Sequence, residues 1–439
     1  MKNFKYAVAL FLFGFLGLHA QEADSIPVFK KRVLEAVEVD FLSSYYVQDG
    51  VHSAVAGGNG MEKLTNITPT IVISVPLNDD DVLTVDTGIS AYSSASSGNI
   101  NPFDSDSPDP FQASSGASAQ DQLTYLVLNY SHSTDDRNTI WNTHIAASME
   151  YDYASIGFGG GLAHLFNNKN SEISVGGNVY LDTWKPIYPK ELIEFYNYGN
   201  TLNSPLFDVF QITGNTNYAP TNFKLKDNKN RNSYALSFGF SQVINKKLQV
   251  SVFMDLLYQE GLLSTPYQRV YFADKGNAYI KNFHLADDIE RLPDTRFKIP
   301  VGARLNYYLN EKMVLRTYYR YYSDNWSIQS HTFNLEIPYK LNDRFTIFPM
   351  YRYYTQQGTQ YFAGYDQHLS TEQYYTSDYD LSTFVAHQYG AGISYTDIFT
   401  SKHVWKFGNK NIDLRYNHYN RNDGLKSNII SFAIKFILE

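Results

Sequence analysis

The chain has 439 residues, with 37 Tyr, 29 Phe, no Cys and a formal net charge of −8. The missing cysteines exclude disulfides, a thiol nucleophile and a thiolate metal site, and the negative balance argues against a nucleic-acid partner. A soluble chain of this length usually divides into two or more domains, whereas one large barrel absorbs it whole, because its core is a wall.

Residues 1–20 read as a secretory signal: Lys2 and Lys5 form the basic region, Ala7–Leu18 the apolar stretch, and His19-Ala20 precedes Gln21. Leu18 at the −3 position departs from the usual small residue, and the apolar stretch is too short to span a bilayer as an anchor. Residues 21–35 are polar and carry Lys30-Lys31; they are too few for a plug and read as a short periplasmic segment. From 36 to 439 the pattern is that of a single β-barrel of about sixteen antiparallel strands. The strands are expected at 38–48, 65–77, 82–93, 121–132, 139–151, 153–166, 171–183, 232–244, 247–260, 297–309, 313–323, 327–340, 344–356, 384–396, 411–421 and 427–438.

The strand at 247–259 shows the pattern most clearly. Leu248, Val250, Val252, Met254, Leu256 and Tyr258 share one parity, and Lys247, Gln249, Ser251, Asp255 and Gln259 occupy the other. Side chains alternate faces along a strand, so one face is apolar and the other wet. Ile173, Val175, Val179 and Leu181 oppose Glu172, Ser174, Asn178 and Asp182, and the last strand sets Ile430, Phe432, Ile434 and Phe436 against Ser431 and Lys435. An apolar, aromatic last strand is also what the outer-membrane insertion machinery reads. The mean hydropathy of −0.35 does not oppose a membrane wall, because lumen and loop residues cancel it in any average. The competing class, a soluble sandwich or lectin, would have shorter strands and more even loops.

The connections alternate in length. Short ones carry turn residues, such as Asn78-Asp79-Asp80, Asn167-Asn168-Lys169 and Asn342-Asp343, and long ones fall near 94–120, 184–231, 261–296 and 357–383. Short periplasmic turns and long outer loops are the orientation signature of outer-membrane barrels, and they place the protein in the cell outer membrane, in contact with its lipid.

Parity assigns the charges to faces. Glu38, Asp40, Asp86, Glu150, Glu172, Asp182 and Asp255 fall on the lumen side of the first nine strands. Arg304, Arg316, Arg320, Arg344, Arg352 and Arg415 follow in the last seven, with Glu336 and Asp413 as acidic exceptions. Neighbouring strands are adjacent around a barrel, so an acidic wall would face a basic one and set up a transverse field that filters polar solutes. The alternative is that Arg304, Arg316, Arg320 and Glu336 form a lateral salt-bridge ladder that stiffens the wall.

Signals for chemistry are thin. Asp104, Asp106 and Asp109 could offer oxygen ligands to Ca²⁺, but their spacing does not match an EF-hand loop, and a solvated acidic loop is the preferred reading. There is no HExxH or GxSxG elbow; His331 and His387, on the lipid-facing parity, fit interfacial positions better than a Ser–His pair. Gly157-Phe-Gly-Gly-Gly161 lacks GK[ST] and lies in a strand. No catalytic residue, metal site or cofactor is assigned.

Arg291-Leu-Pro-Asp-Thr-Arg296 is followed by Tyr319-Arg-Tyr-Tyr-Ser-Asp-Asn-Trp326, Ser330-His-Thr332, Tyr351-Arg-Tyr-Tyr-Thr355 and Tyr375-Thr-Ser-Asp-Tyr-Asp-Leu-Ser382. This order, together with Ser93–Ser97 before a long polar loop, resembles a family of outer-membrane proteins of Gram-negative, Bacteroidota-like bacteria known only as a domain of unknown function. The resemblance covers most of the mature chain and implies a barrel without an assigned activity. Arg320, Asp324, Trp326, His331, Arg352, Asp378 and Tyr379 are expected to meet at the mouth, either binding a solute or pinning loop 357–383. The function expected is a pore or transporter for small polar or charged solutes. The alternative is a non-conducting scaffold whose loops bind an envelope partner protein or a glycan.

Overall fold

The computed structural model describes residues 31–96 and 120–438. The expected leader, most of the segment after it, and Asp104, Asp106 and Asp109 lie outside the described residues. From Val33 onward the chain is one compact unit. Its barrel strands are β1 Val37–Asp49, β2 Glu62–Pro76, β3 Asp81–Ser96, β4 Gln120–Ser133, β5 Thr139–Met149, β6 Tyr153–Phe166, β7 Ser171–Trp184 and β8 Asn230–Asn245. They continue as β9 Leu248–Gly261, β10 Thr295–Asn310, β11 Met313–Asp324, β12 Gln329–Glu336 with Tyr339–Lys340, and β13 Phe345–Ile347 with Met350–Gln357. The last three are β14 Phe384–Thr396, β15 Phe407–Arg421 and β16 Lys426–Leu438.

Each strand pairs antiparallel with the next, and β1 pairs β16 through Phe41↔Ile434 and Tyr45↔Ile430, so the sheet closes on itself. Closure removes the unpaired sheet edge that no open sheet can present to hydrocarbon. All sixteen expected strands are present. Two expected as continuous are interrupted, β12 at Ile337-Pro338 and β13 at Phe348-Pro349. Proline has no N–H to give the ladder, and the gap is bridged by Ile337 N donating to the Pro349 carbonyl at 3.1 Å.

The alternation of faces follows the sequence. Phe41, Ile71, Leu126, Ile145, Phe158, Ile173, Phe238, Val252, Phe333 and Phe432 are large apolar side chains exposed on the outer wall. A belt of this kind, drawn from all sectors of the ring, is stable only against hydrocarbon. No helix among the described residues is long and apolar enough to cross a membrane, a statement that does not bear on strands.

The buried core lies not in the barrel but at its long-loop end. Segments 50–61, 185–229, 262–294 and 358–383 fold together into a cap with clusters such as Leu192, Phe223, Tyr271 and Ile289, or Tyr218, Ile280 and Leu285. One helix, α1 (Lys190–Asn197), turns Leu192 and Phe195 into this core and ends near Gly199, whose φ of +73° is left-handed. Short ladders tie the segments: Arg269–Val270 with Asp288–Ile289, and Ala278–Ile280 with both Ile212–Gly214 and Phe283–His284.

Candidate functional site

β1 and β9 are eight strands apart in a ring of sixteen, and therefore on opposite sides of the barrel. The segments that follow them nevertheless meet: Arg269 Nη1 donates to the Val55 carbonyl at 3.3 Å. Arg269 also pairs with Glu191 of α1, its Nε 2.8 Å from Oε1, and both side chains are 1% exposed or less. Gly57 makes this crossing possible, since a Cβ there would sit 2.6 Å from the Tyr271 ring, and its φ is +71°. The cap thus bridges the mouth.

Burial sets the protonation of the cap's titratable groups. Glu290 accepts from Thr265 N at 2.6 Å and Thr376 Oγ1 at 2.6 Å, but burial pushes its carboxyl up to about 7. Asp287 is raised by burial to about 6, and His284 is lowered by burial to about 4.

The expected mouth cluster separates into three parts. Asp324 accepts from Trp326 N and Ile328 N, closing the β11–β12 turn, and pairs with Arg296 at 2.5 Å. Trp326 is 2% exposed, lies under the Arg296 guanidinium at 4.3 Å, packs with Leu263, Leu292, Tyr361 and Leu381, and accepts from Thr359 at its carbonyl. Asp378 accepts from Gln268 and from Asp380 N, and Tyr379 stacks on His52 with ring centroids 3.6 Å apart. Both groups tie segment 358–383 down, on different neighbours. His331 belongs to neither: it faces outward, bonded to the Tyr319 hydroxyl at 2.7 Å. Its parity placed it there, against its position in the motif. His387 is likewise outward, bonded to Tyr351.

Below the cap, inward residues of β10–β15 line a cavity of about 920 Å³ that runs from Asp380 at the cap to Arg316 and Glu336. One cross-strand row reads Ser251, Arg304, Tyr318, Asn334, Arg352, Gln388 and Tyr419. Glu336 holds Arg316 at 3.0 Å and Arg415 at 2.9 Å, whereas Arg304 and Arg320, the other two arginines of the expected ladder, make no ion pair with it. Arg344 is an exposed turn residue ahead of β13 and not a lumen charge. Phe253, like Leu257 on the wet parity of β9, is a side chain the alternation argument passed over. It stacks on Tyr318 at 5.7 Å and occupies the space above Gly302, where a Cβ would lie 2.2 Å from its ring. A large residue opposite a glycine across a strand pair was the available signal.

The acidic side is partly neutralised. Glu38 and Asp40 face Lys435 at 3.0 and 3.1 Å at the closure seam, with Lys410 2.9 Å from Glu38. Asp86 accepts from the Tyr125 hydroxyl at 3.2 Å. Glu172, Asp182 and Asp255 lie on the inward parity of β7 and β9; Asp182 is opposite Arg231 and is buried. Among the described residues, Asp121, Glu150 and Asp152 bring carboxylate oxygens within 4.8 Å of one another. Gly157–Gly161 lies within β6, where Gly157 leaves room for the Tyr180 ring and forms no phosphate loop.

Residues 9–428 match the family described as "Protein of unknown function (DUF3570)". The chain belongs to the DUF3570 family. No curated protein matches this DUF3570 chain. Among solved structures it is similar to a bacterial polysaccharide outer membrane secretin, at 10% identity and a TM-score of 0.43, covering 92% of this chain and 99% of that one. It is also similar to OpdK of Pseudomonas aeruginosa, solved with vanillate, at 7% identity and a TM-score of 0.39 over 92% of this chain and 99% of that one. A BenF-like porin from Pseudomonas fluorescens Pf-5 aligns at 9% identity and a TM-score of 0.38 over 92% and 98%.

Proposed function

We propose that this DUF3570 protein is a gated conduit for small polar or charged solutes across the outer membrane, with the cap on the outer face as its gate. The carrying observation is the charged cavity of about 920 Å³ inside the barrel, continuous along the basic wall up to the cap. A scaffold with no solute to pass has no need of a hydrated, charged lumen, whereas a barrel of this strand number leaves room for water. The long loops at the capped end and the short turns at the other orient the cap outward. The chemistry asked of the protein is selection and passage, with no reacting group.

Arg269 and Glu191 are the test. Breaking a buried pair leaves an uncompensated charge, at about 3–5 kcal/mol, whereas replacing both partners by apolar residues is often neutral. In planar bilayers the wild type is expected to open rarely and Arg269→Met to open often. The double variant Glu191→Met/Arg269→Met is expected to return to the quiet state. A correctly folded Arg269→Met barrel that stays silent would sink the conduit reading and leave the scaffold, whose cap then serves as a rigid docking face.

A further inference from the structure

We infer that Arg304, Arg320 and Arg352 form an oxyanion-binding site on the lumen wall, and that the solutes selected are small organic anions bearing a carboxylate or phosphate head. This deepens the conduit reading and rests on it for the word "solute", while the site itself stands on separate observations.

The first is charge accounting on one wall. Arg316 and Arg415 share Glu336, and Arg421 takes Asp380 and Asp423, each at 2.5 Å. Arg304, Arg320 and Arg352 have no carboxylate against them among the described residues. Arg320 Nε is buried with no hydrogen-bond partner, and Arg352 reaches only Gln388 Oε1, at 3.4 Å. Three guanidiniums on three of four consecutive strands repel one another, and an oxyanion relieves that repulsion. The guanidinium fork matches the two oxygens of a carboxylate or phosphate, which a point-charge ammonium does not.

The second is placement. Arg304 and Arg352 share a cross-strand row, separated by Tyr318 and Asn334, and Arg320 stands two residues beyond Tyr318. At about 4.8 Å per strand the row spans about 14 Å, within reach of side chains converging from a concave wall. All three line the same cavity.

The third is the aromatic floor. Arg304 lies 5.8 Å from the Phe253 ring and 5.7 Å from Tyr318, which are themselves stacked 11° from parallel. Gly302 gives Phe253 its room. The floor holds the cation by its ring faces and offers a planar surface to the organic part of a ligand. The Glu336 pairs lie one step further along the wall and fix its charge, so the three unpaired arginines are set apart from the wall's own salt bridges.

Calorimetry on the full-length protein in detergent tests this, with benzoate and inorganic phosphate as probes. At least one probe should bind the wild type, about tenfold more weakly in Arg320→Gln and in Arg352→Gln, and with unchanged affinity in Lys435→Gln at the distant seam. Benzoate alone binding means a carboxylate site, and phosphate alone a phosphate site. No binding by either probe at millimolar concentration overturns the inference, as does equal binding in all variants. The measurement needs no open pore, so a silent bilayer with intact binding defeats the conduit and not the site. Conductance without arginine-dependent binding does the reverse.

Discussion

At the residue scale, most of the cap's attachment passes through a few side chains whose surroundings explain them. Trp326 is the clearest: it is buried among Leu263, Leu292 and Tyr361, its indole N–H donates to the Thr295 carbonyl at 3.0 Å, and Arg296 covers its face. Trp326→Ala should remove about 3–5 kcal/mol of packing. The loss should be local, so chymotrypsin should cut the tyrosines of segment 358–383 while the folded barrel keeps its mobility on unheated gels. An unchanged digest would mean that Trp326 does not pin the segment. This role was half legible in the sequence. Trp326 and Asp378 stood out in the motif run, but that run also suggested His331, which strand parity turns outward. Parity is the stronger argument, because a strand cannot present neighbouring residues to one face. Arg269 and Glu191 gave no signal, since 78 positions separate them and neither lies in a periodic segment.

At the element scale, the wall was legible almost entirely. Sixteen strands and their order follow from period-two alternation and turn residues. The breaks in β12 and β13 did not, although Pro338 and Pro349 were in view, because a bilayer wall tolerates a proline when the neighbouring strand resupplies the bond. The division of faces has a direct consequence in β9. Val252 is 45% exposed on the outer wall, and Ser251 points inward to bond Ser241 at 2.9 Å. Val252→Arg should cost about 2–4 kcal/mol in a bilayer, and Ser251→Arg much less. Urea titration in lipid vesicles reads the difference, and equal costs would invalidate the assignment of faces. The charge pattern, by contrast, was legible only as a list. Which arginines are neutralised depends on cross-strand neighbours such as Arg316 and Glu336, and a shift of one residue in register would regroup them.

At the scale of the molecule, the cap is held by buried ionisable groups, so its closure must depend on pH. Glu290 titrates at about 7 instead of its ordinary 4.5, because burial penalises the carboxylate and Asp378 adds negative charge; Thr376 and Thr265 only partly offset this. A group raised in the folded state contributes stability that is complete below its unfolded pKa and is lost as pH rises through the folded one. Glu290 therefore tightens the cap as pH falls through 7, and Asp378 and Asp287, both at about 6, act in the same direction at lower pH. His284 has the opposite sign: lowered from 6.5 to about 4, it withdraws stability as pH falls through that interval. Between pH 8 and 6.5 Glu290 contributes a change of about 0.8 kcal/mol, roughly fourfold in the opening equilibrium. Hydrogen exchange in segment 262–294, corrected for intrinsic rates, should slow by that factor at pH 6.5 relative to pH 8. Glu290→Gln, neutral at both, should shrink the difference by that factor and be better protected than the wild type at pH 8. If the wild type exchanges equally at both values, closure of the mouth is governed by packing alone, and the buried carboxylate is not its switch.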